Sequence, residues 1–183
     1  PLAGRPLEVL FVGTVQPRKG VGALVEAFAG IDPRQARLTL LGRMDVPRDA
    51  LAAIADRAVH RPPVPRREVA QAMARADVLL LPSLCEGSAV VAYEAQAAGL
   101  ALVQSAHTGL VVRPGVTGLL LPEVSAAAIR AAVRQLAGDP GRLAAMQAAA
   151  AATRSRRWAD YRAEVRAVLG LDPAGPDTRD RAA

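Results

Sequence analysis

Lysine, cysteine and tryptophan each occur only once in this sequence, and each scarcity excludes something. The single cysteine, Cys85, rules out an internal disulfide and fits a reducing compartment. Two histidines, His60 and His107, are too few for a metal cluster. Aromatic residues make up 3% of the chain against 51% apolar residues, so its core must be built from Ala, Val and Leu. No apolar run reaches the roughly 20 residues of a membrane-spanning helix, and no signal-peptide pattern opens the chain. The first residue is Pro1, not Met; the expectation is a processed or excised piece of a cytoplasmic protein. At 183 residues the length suits one domain.

The net charge of +6 and the isoelectric point near 10.8 raise the question of nucleic acid. All 23 basic residues except Lys19 are arginine, and they are spread along the chain without aromatic interleaving, zinc-finger spacing or a helix-turn-helix pattern. No nucleic-acid partner is expected. Phosphorylated small molecules account for the charge equally well, and so does anionic lipid, which leaves peripheral contact with the inner membrane face as a further expectation.

What the sequence does have is alternation of strand and helix patterns. Short apolar runs at Glu8–Val12, Arg37–Leu41, residues 77–81, Ala101–Gln104 and Gly118–Leu121 read as buried strands. Helical spacing marks Val21–Ala29, Pro47–Ala58 with Leu51, Ile54 and Ala55 inward, Arg66–Arg75 and Val90–Ala98. Ser125 caps a helix reaching Leu136, and Asp139-Pro140 starts the next with proline at its first position. A last helix, Arg157–Leu169, carries Trp158, Tyr161, Val165 and Leu169 at helical spacing, suited to a second surface; residues 170–183 read as a disordered tail. The alternation predicts an α/β domain, a doubly wound Rossmann-like parallel sheet that binds ligands at the carboxyl ends of its strands.

Two loops carry the chemistry. Pro82-Ser83-Leu84-Cys85-Glu86-Gly87-Ser88 joins a buried strand to a helix whose N-terminus can receive an anion. Glu86 falls in that turn, and Glu94 is expected about two helical turns on, roughly 12 Å away. Two carboxylates flanking an anion site suit a ligand with phosphate in the middle and hydroxyls at both ends. After the first strand comes Gly13-Thr14-Val15-Gln16-Pro17-Arg18-Lys19-Gly20. Its compact ammonium, alone among guanidinium groups, suits a point contact with a diphosphate. The spacing is not that of a Walker P-loop. Taken alone, the same loop also reads as a solvated turn.

These segments, over nearly the whole span from Leu7 to Leu169, resemble the C-terminal, donor-binding domain of retaining GT-B glycosyltransferases close to family 4. Val12-Gly13 through Lys19-Gly20 resembles the family's G-R-L-x-P-x-K-G loop, and Leu38-Thr39-Leu40-Leu41-Gly42 its second strand and glycine. Ala76-Asp77-Val78 through Pro82-Ser83 and Glu86-Gly87 resembles A-D-V-x-x-x-P-S-x-x-E-G, Glu86 and Glu94 the E-x7-E pair, and Val116 to Pro122 a V-T-G-x-L-x-P strand. Trp158 and Tyr161 resemble aromatics of a terminal helix that crosses back to an N-terminal domain.

The resemblance implies a nucleotide-diphosphate sugar as substrate, a UDP or GDP carrier among the candidates, and no metal or other cofactor. Lys19 and Glu86 would be catalytic, Lys19 on the diphosphate and Glu86 on the sugar hydroxyls. Gly13, Thr14, Arg18 and Ser83 would complete the phosphate and sugar side. Backbone amides at Gly87, Ser88 and Ala89 would hold phosphate, Glu94 the ribose, and the loops at Gly42-Arg43 and His60-Arg61 the base. The implied partner is an N-terminal acceptor domain or a partner chain.

The sequence departs from the family pattern at four places. Thr14 replaces an arginine, and Ser88-Ala89 replace Phe-Gly. Thr108-Gly109-Leu110-Val111 stands where G-G-x-P-E is expected, two residues shorter and without the glutamate, and an N-terminal acceptor domain is not expected within these 183 residues. Two other functions therefore stay open: a non-catalytic binding or regulatory module of the same fold, and a nucleotide-sugar epimerase, against which the E-x7-E spacing speaks. Cys85 reads as a small core residue, His60 as a packing or base-stacking group, and His107 falls where a sugar-side loop is expected. Arg154-Ser155-Arg156-Arg157 reads as a solvated helix start.

Overall fold

Among the described residues six strands form, all parallel, most of them built from Val and Leu. They are β1 (Leu7–Val12), β2 (Ala36–Leu41), β3 (Ala58–Arg61), β4 (Val78–Leu81), β5 (Ala101–Ser105) and β6 (Gly118–Leu121), in the spatial order β3-β2-β1-β4-β5-β6. The computed structural model describes residues 4–87, 89–153 and 158–171, apart from the side chain of Arg48. Six α-helices accompany the strands: α1 (Val21–Ala29), α2 (Arg66–Arg75), α3 (Val90–Ala97), α4 (Ala126–Gly138), α5 (Pro140–Ala151) and α6 (Trp158–Val168). This is the doubly wound order, and β1 and β4 lie side by side at the point where the winding reverses.

Both faces of the sheet are buried. Phe11, Leu38 and Leu80 point to one side, against Leu24 and Phe28 of α1 and Ile129 of α4. Leu10, Leu79 and Leu102 point to the other, against Met73 of α2 and Ala92 and Ala95 of α3. The expected caps are in place: Ser125 Oγ accepts from the Ala128 amide at 3.1 Å, and Asp139 Oδ1 from the Arg142 amide at 2.9 Å.

One expected helix is replaced. Residues 47–58 have helical apolar spacing, yet the chain makes only a 3-10 segment, Arg48–Ile54, and then the edge strand β3. Leu40 faces His60 and Leu41 faces Arg61 across the new pairing. Ile54 is buried as expected, Leu51 is half-buried, and Ala55 faces solvent. The short 3-10 turn leaves enough chain to reach the sheet edge, where β2 finds a second partner for its backbone groups.

The described residues fall into two compact units, the first ending at Thr153 and the second holding α6. Within α6 the rings of Trp158 and Tyr161 lie against each other, tilted by 35° with centroids 5.4 Å apart. Arg154 to Arg157, which include the expected start of this helix, lie outside the described residues, as does the tail from residue 172 onward. Gly170 and Leu171, expected in the tail, close α6 instead: the Gly170 amide donates to Ala167 O at 3.2 Å and the Leu171 amide to Arg166 O at 2.9 Å. No helix among the described residues is long and apolar enough to cross a membrane.

Asp77, at the foot of β4, fixes β1 against β4. Its carboxylate takes both guanidinium nitrogens of Arg5 at 2.7 Å and the Glu8 amide at 2.9 Å, while its own amide donates to Glu8 O at 2.8 Å. That hydrogen bonding holds the Arg5 guanidinium above its ordinary pKa. Asp77 is buried, so Asp77→Ala would leave the Glu8 amide unpaired next to an uncompensated arginine. We expect a loss of about 2–4 kcal/mol in urea unfolding; a loss below about 0.5 kcal/mol would show that the carboxylate does not fix this junction.

Candidate functional site

The loops that leave β1 and β4 meet above the switch point. The first turns through a 3-10 helix, Pro17–Lys19, and enters α1 at Gly20. Gly20 has φ +72°, and a Cβ there would lie 2.0 Å from the carbonyl oxygen of Pro82. Only glycine lets α1 start this close to the second loop. Two further bonds tie the loops: the Leu84 amide donates to Arg18 O at 2.9 Å, and the Arg18 guanidinium to Cys85 O at 3.0 Å.

Lys19 and Glu86 meet at this junction. Lys19 Nζ stands 2.5 Å from Glu86 Oε1, with the two side chains only 11% and 15% exposed. Ser83, fully buried, donates its hydroxyl to the other carboxylate oxygen at 3.1 Å, and its carbonyl accepts the Ser105 hydroxyl at 2.6 Å. The Glu86 amide donates to His107 O at 2.8 Å, so the turn after β5 closes on the same loop. Gln104, buried in β5, shapes that turn: its side chain donates to Thr108 Oγ1 and Gly109 O and accepts the Val112 amide. The sequence reading did not single out Gln104 or Ser105; two polar side chains ending a fully buried strand were the available signal.

The remaining sequence-predicted residues divide. Gly13 and Gly42 lie back to back, since a Cβ on Gly42 would come within 2.1 Å of Gly13 O. Thr14 is half-buried between them and the Lys19 turn, and the 43–45 segment pairs with Val15. Arg43 is exposed, 3.7 Å from Asp45. His60 Nε2 lies 2.8 Å from Gly42 O and lines a hollow with Met44 and Leu51. The Arg61 side chain lines a different hollow, beside Arg5, Glu8 and Arg75. Gly87 has open space where a Cβ would be, and Ser88 lies outside the described residues. Cys85 is exposed rather than in the core, because the turn carries it outward past Arg18.

Two expectations about α3 change. The Ala89 amide, expected to be free for phosphate, donates to Thr108 O at 3.3 Å, because the turn after β5 reaches over it. The amides that open the helix are those of Val90 and Val91. The helix begins at Val90 as expected, and Glu94 is its fifth residue, little more than one turn in rather than two.

Glu94 borders a hollow of about 520 Å³ between α2 and α3. Its walls are apolar, with Val12, Val69, Met73 and Val90 among them, and its polar side chains are Glu94 and Arg66, 3.4 Å apart. Neither His60 nor Arg61 reaches it. The resemblance assigns the base to the loops at Gly42-Arg43 and His60-Arg61, and none of these four residues lines this hollow. Among the described residues no group of three or more His, Cys, Asp or Glu is placed to hold a metal.

A doubly wound sheet with these loops at its switch point is one half of a GT-B fold, and solved structures agree. The chain superposes on the sucrose-phosphate synthase of Thermosynechococcus elongatus with a TM-score of 0.69 and 29% identity, covering 80% of this chain and 40% of that one. For Anabaena Alr3699/HepE, solved with UDP and glucose, the values are 0.78, 20%, 93% and 50%. Residues 6–139 match the family described as glycosyl transferases group 1, and the chain belongs to that family. It is 38% identical over 161 residues to the D-inositol 3-phosphate glycosyltransferase of Xylanimonas cellulosilytica and 36% over 169 residues to that of Kineococcus radiotolerans. Those matches cover 82% and 78% of this chain but only 38% and 39% of the relatives' length.

The contact between Gly20 and Pro82 is the tightest constraint on the two site loops. Gly20→Ala must move one of them or strain the backbone, and should cost about 2–4 kcal/mol in thermal or urea unfolding. Gly22→Ala, two residues on with nothing within 4 Å of the new Cβ, is the control and should be neutral or mildly stabilising. Equal effects of the two would mean that the close approach carries no energy.

Proposed function

We propose that this domain binds the donor of a glycosyltransferase, a nucleoside-diphosphate sugar, and that the full enzyme transfers the sugar with retention of configuration. The observation that carries the reading is that one strand-to-helix loop supplies the half-buried Glu86 and leads into the helix bearing Glu94, while the Lys19 ammonium lies between the two loops of the switch point. The nucleoside occupies the apolar hollow between α2 and α3, its ribose hydroxyls on Glu94. The diphosphate runs past the open amides of α3 toward Lys19, where the helix terminus and the ammonium oppose its charge. The sugar then lies by Glu86; as its anomeric C–O bond breaks, the electron pair goes to the diphosphate oxygen facing Lys19 and the α3 amides, while an acceptor hydroxyl forms the new bond to the anomeric carbon and gives up its proton to the departing diphosphate. An acceptor domain, in the same chain or a partner, faces the sugar end. Two observations fit a module that binds the donor without transferring it: Thr14 offers no cation, and the 108–112 turn carries no carboxylate.

Isothermal titration calorimetry of this chain with UDP-glucose, UDP-N-acetylglucosamine and GDP-mannose tests the donor site. Binding of at least one is expected, and Lys19→Ala and Glu94→Gln should each weaken it about tenfold or more, the worth of one charge-assisted contact. No heat with any of the three at millimolar concentration would sink the reading. Unchanged affinity in both variants would remove these residues from it.

A further inference from the structure

Lys19 and Glu86 have opposite duties in the reading above, one toward phosphate and one toward sugar hydroxyls, yet they are bonded to each other. The pair is nearly enclosed, and among the described residues the second Glu86 oxygen has only the Ser83 hydroxyl. A carboxylate so far out of water is costly to leave without its cation. A ligand that draws Lys19 away must therefore supply Glu86 with new donors or leave it poorly compensated.

We propose, resting on the donor-site reading, that Lys19 and Glu86 form an exchangeable pair through which the site distinguishes a sugar nucleotide from the bare nucleoside diphosphate. A sugar nucleotide satisfies both members: a phosphate oxygen takes the ammonium, and sugar hydroxyls donate to the carboxylate. A nucleoside diphosphate satisfies only Lys19. Glu86, left on Ser83 alone, then pulls the ammonium back and weakens the hold on the product. Glu86 thus acts as a specificity determinant that helps the diphosphate leave once the sugar is gone. The discrimination lies in this loop pair, because the nucleoside hollow between α2 and α3 meets the same groups in both ligands.

The test is a comparison of UDP with UDP-glucose, run beside GDP with GDP-mannose, on the whole chain by calorimetry. In Glu86→Gln the amide no longer holds Lys19, so the bare diphosphate should bind about tenfold tighter while the sugar nucleotide gains nothing or weakens. In Lys19→Met the further change Glu86→Gln should bring no such gain, which a double-mutant cycle reads directly. Ser83→Ala, which alters no charge, should narrow the ratio between sugar nucleotide and diphosphate by loosening Glu86. Thermal unfolding of each variant shows that the fold survives.

If Glu86→Gln tightens both ligands equally, Glu86 is only a repelling charge and the exchange is overturned. It is overturned too if neither affinity moves while Glu94→Gln still weakens both, an outcome that leaves the donor site intact. If no nucleotide binds the unaltered chain, the exchange and the donor-site reading fall together.

Discussion

The pairing of β1 with β4 is the constraint from which the rest of the site follows. Only two residue pairs bring these strands into register, Val9 with Val78 and Leu10 with Leu79. So short a contact is a weak guarantee of alignment. Asp77 makes up for it by accepting the Glu8 amide and two Arg5 nitrogens while donating its own amide back to Glu8. With the strands aligned at their lower ends, the loops leaving their upper ends must emerge side by side. Gly20 then lets α1 press against Pro82, and Lys19 reaches Glu86. A buried carboxylate at one end of the sheet thereby sets the geometry of a lysine and a glutamate at the other.

Much of this was legible because it is local. A Val-Leu run followed by Pro-Ser and an Ala-rich helix fixes strand, turn and helix within about twenty residues, and Lys19 stood out in composition alone. Residues 47–58 misled because their periodicity is helical, while their fate is decided by β2, which needs a partner on its open side. Tertiary pairing outweighed a local preference there. The fate of the Ala89 amide was hidden for a similar reason: it is taken by Thr108, a contact between residues 19 apart that no spacing rule encodes. The α2–α3 hollow was missed because it belongs to neither helix separately. Its walls come from positions that each read as ordinary core-facing residues.

The departures from the family pattern gain meaning once the polar links are traced. The 108–112 turn lacks the expected glutamate, yet it is not a slack loop. Gln104 makes three bonds to it from a fully buried position, and Thr108 adds a fourth to Ser105 O. A side-chain amide inside a sheet is expensive unless fully paired, and here both ends of the amide are used. The turn in turn receives the Glu86 and Ala89 amides. The turn after β5 thus gives the Glu86 loop a support whose polar groups are hydrogen-bonded.

The two ends of the proposed donor site differ in how far they depend on this chain. The nucleoside end is walled by α2 and α3, whose apolar side chains bury each other whether or not anything else is present. At the sugar end Glu86 is held by Lys19 and Ser83, and Leu84 and Leu110 of the neighbouring turns are exposed. A carboxylate with its strongest partner already bonded has little to gain from a ligand unless water is kept out and hydroxyls are brought in at fixed positions. In the proposed reading that enclosure has to come from outside the segment that matches two-fifths of its relatives' length. Nucleotide recognition is then a property of this domain alone, whereas sugar recognition is sharpened by enclosure across an interface.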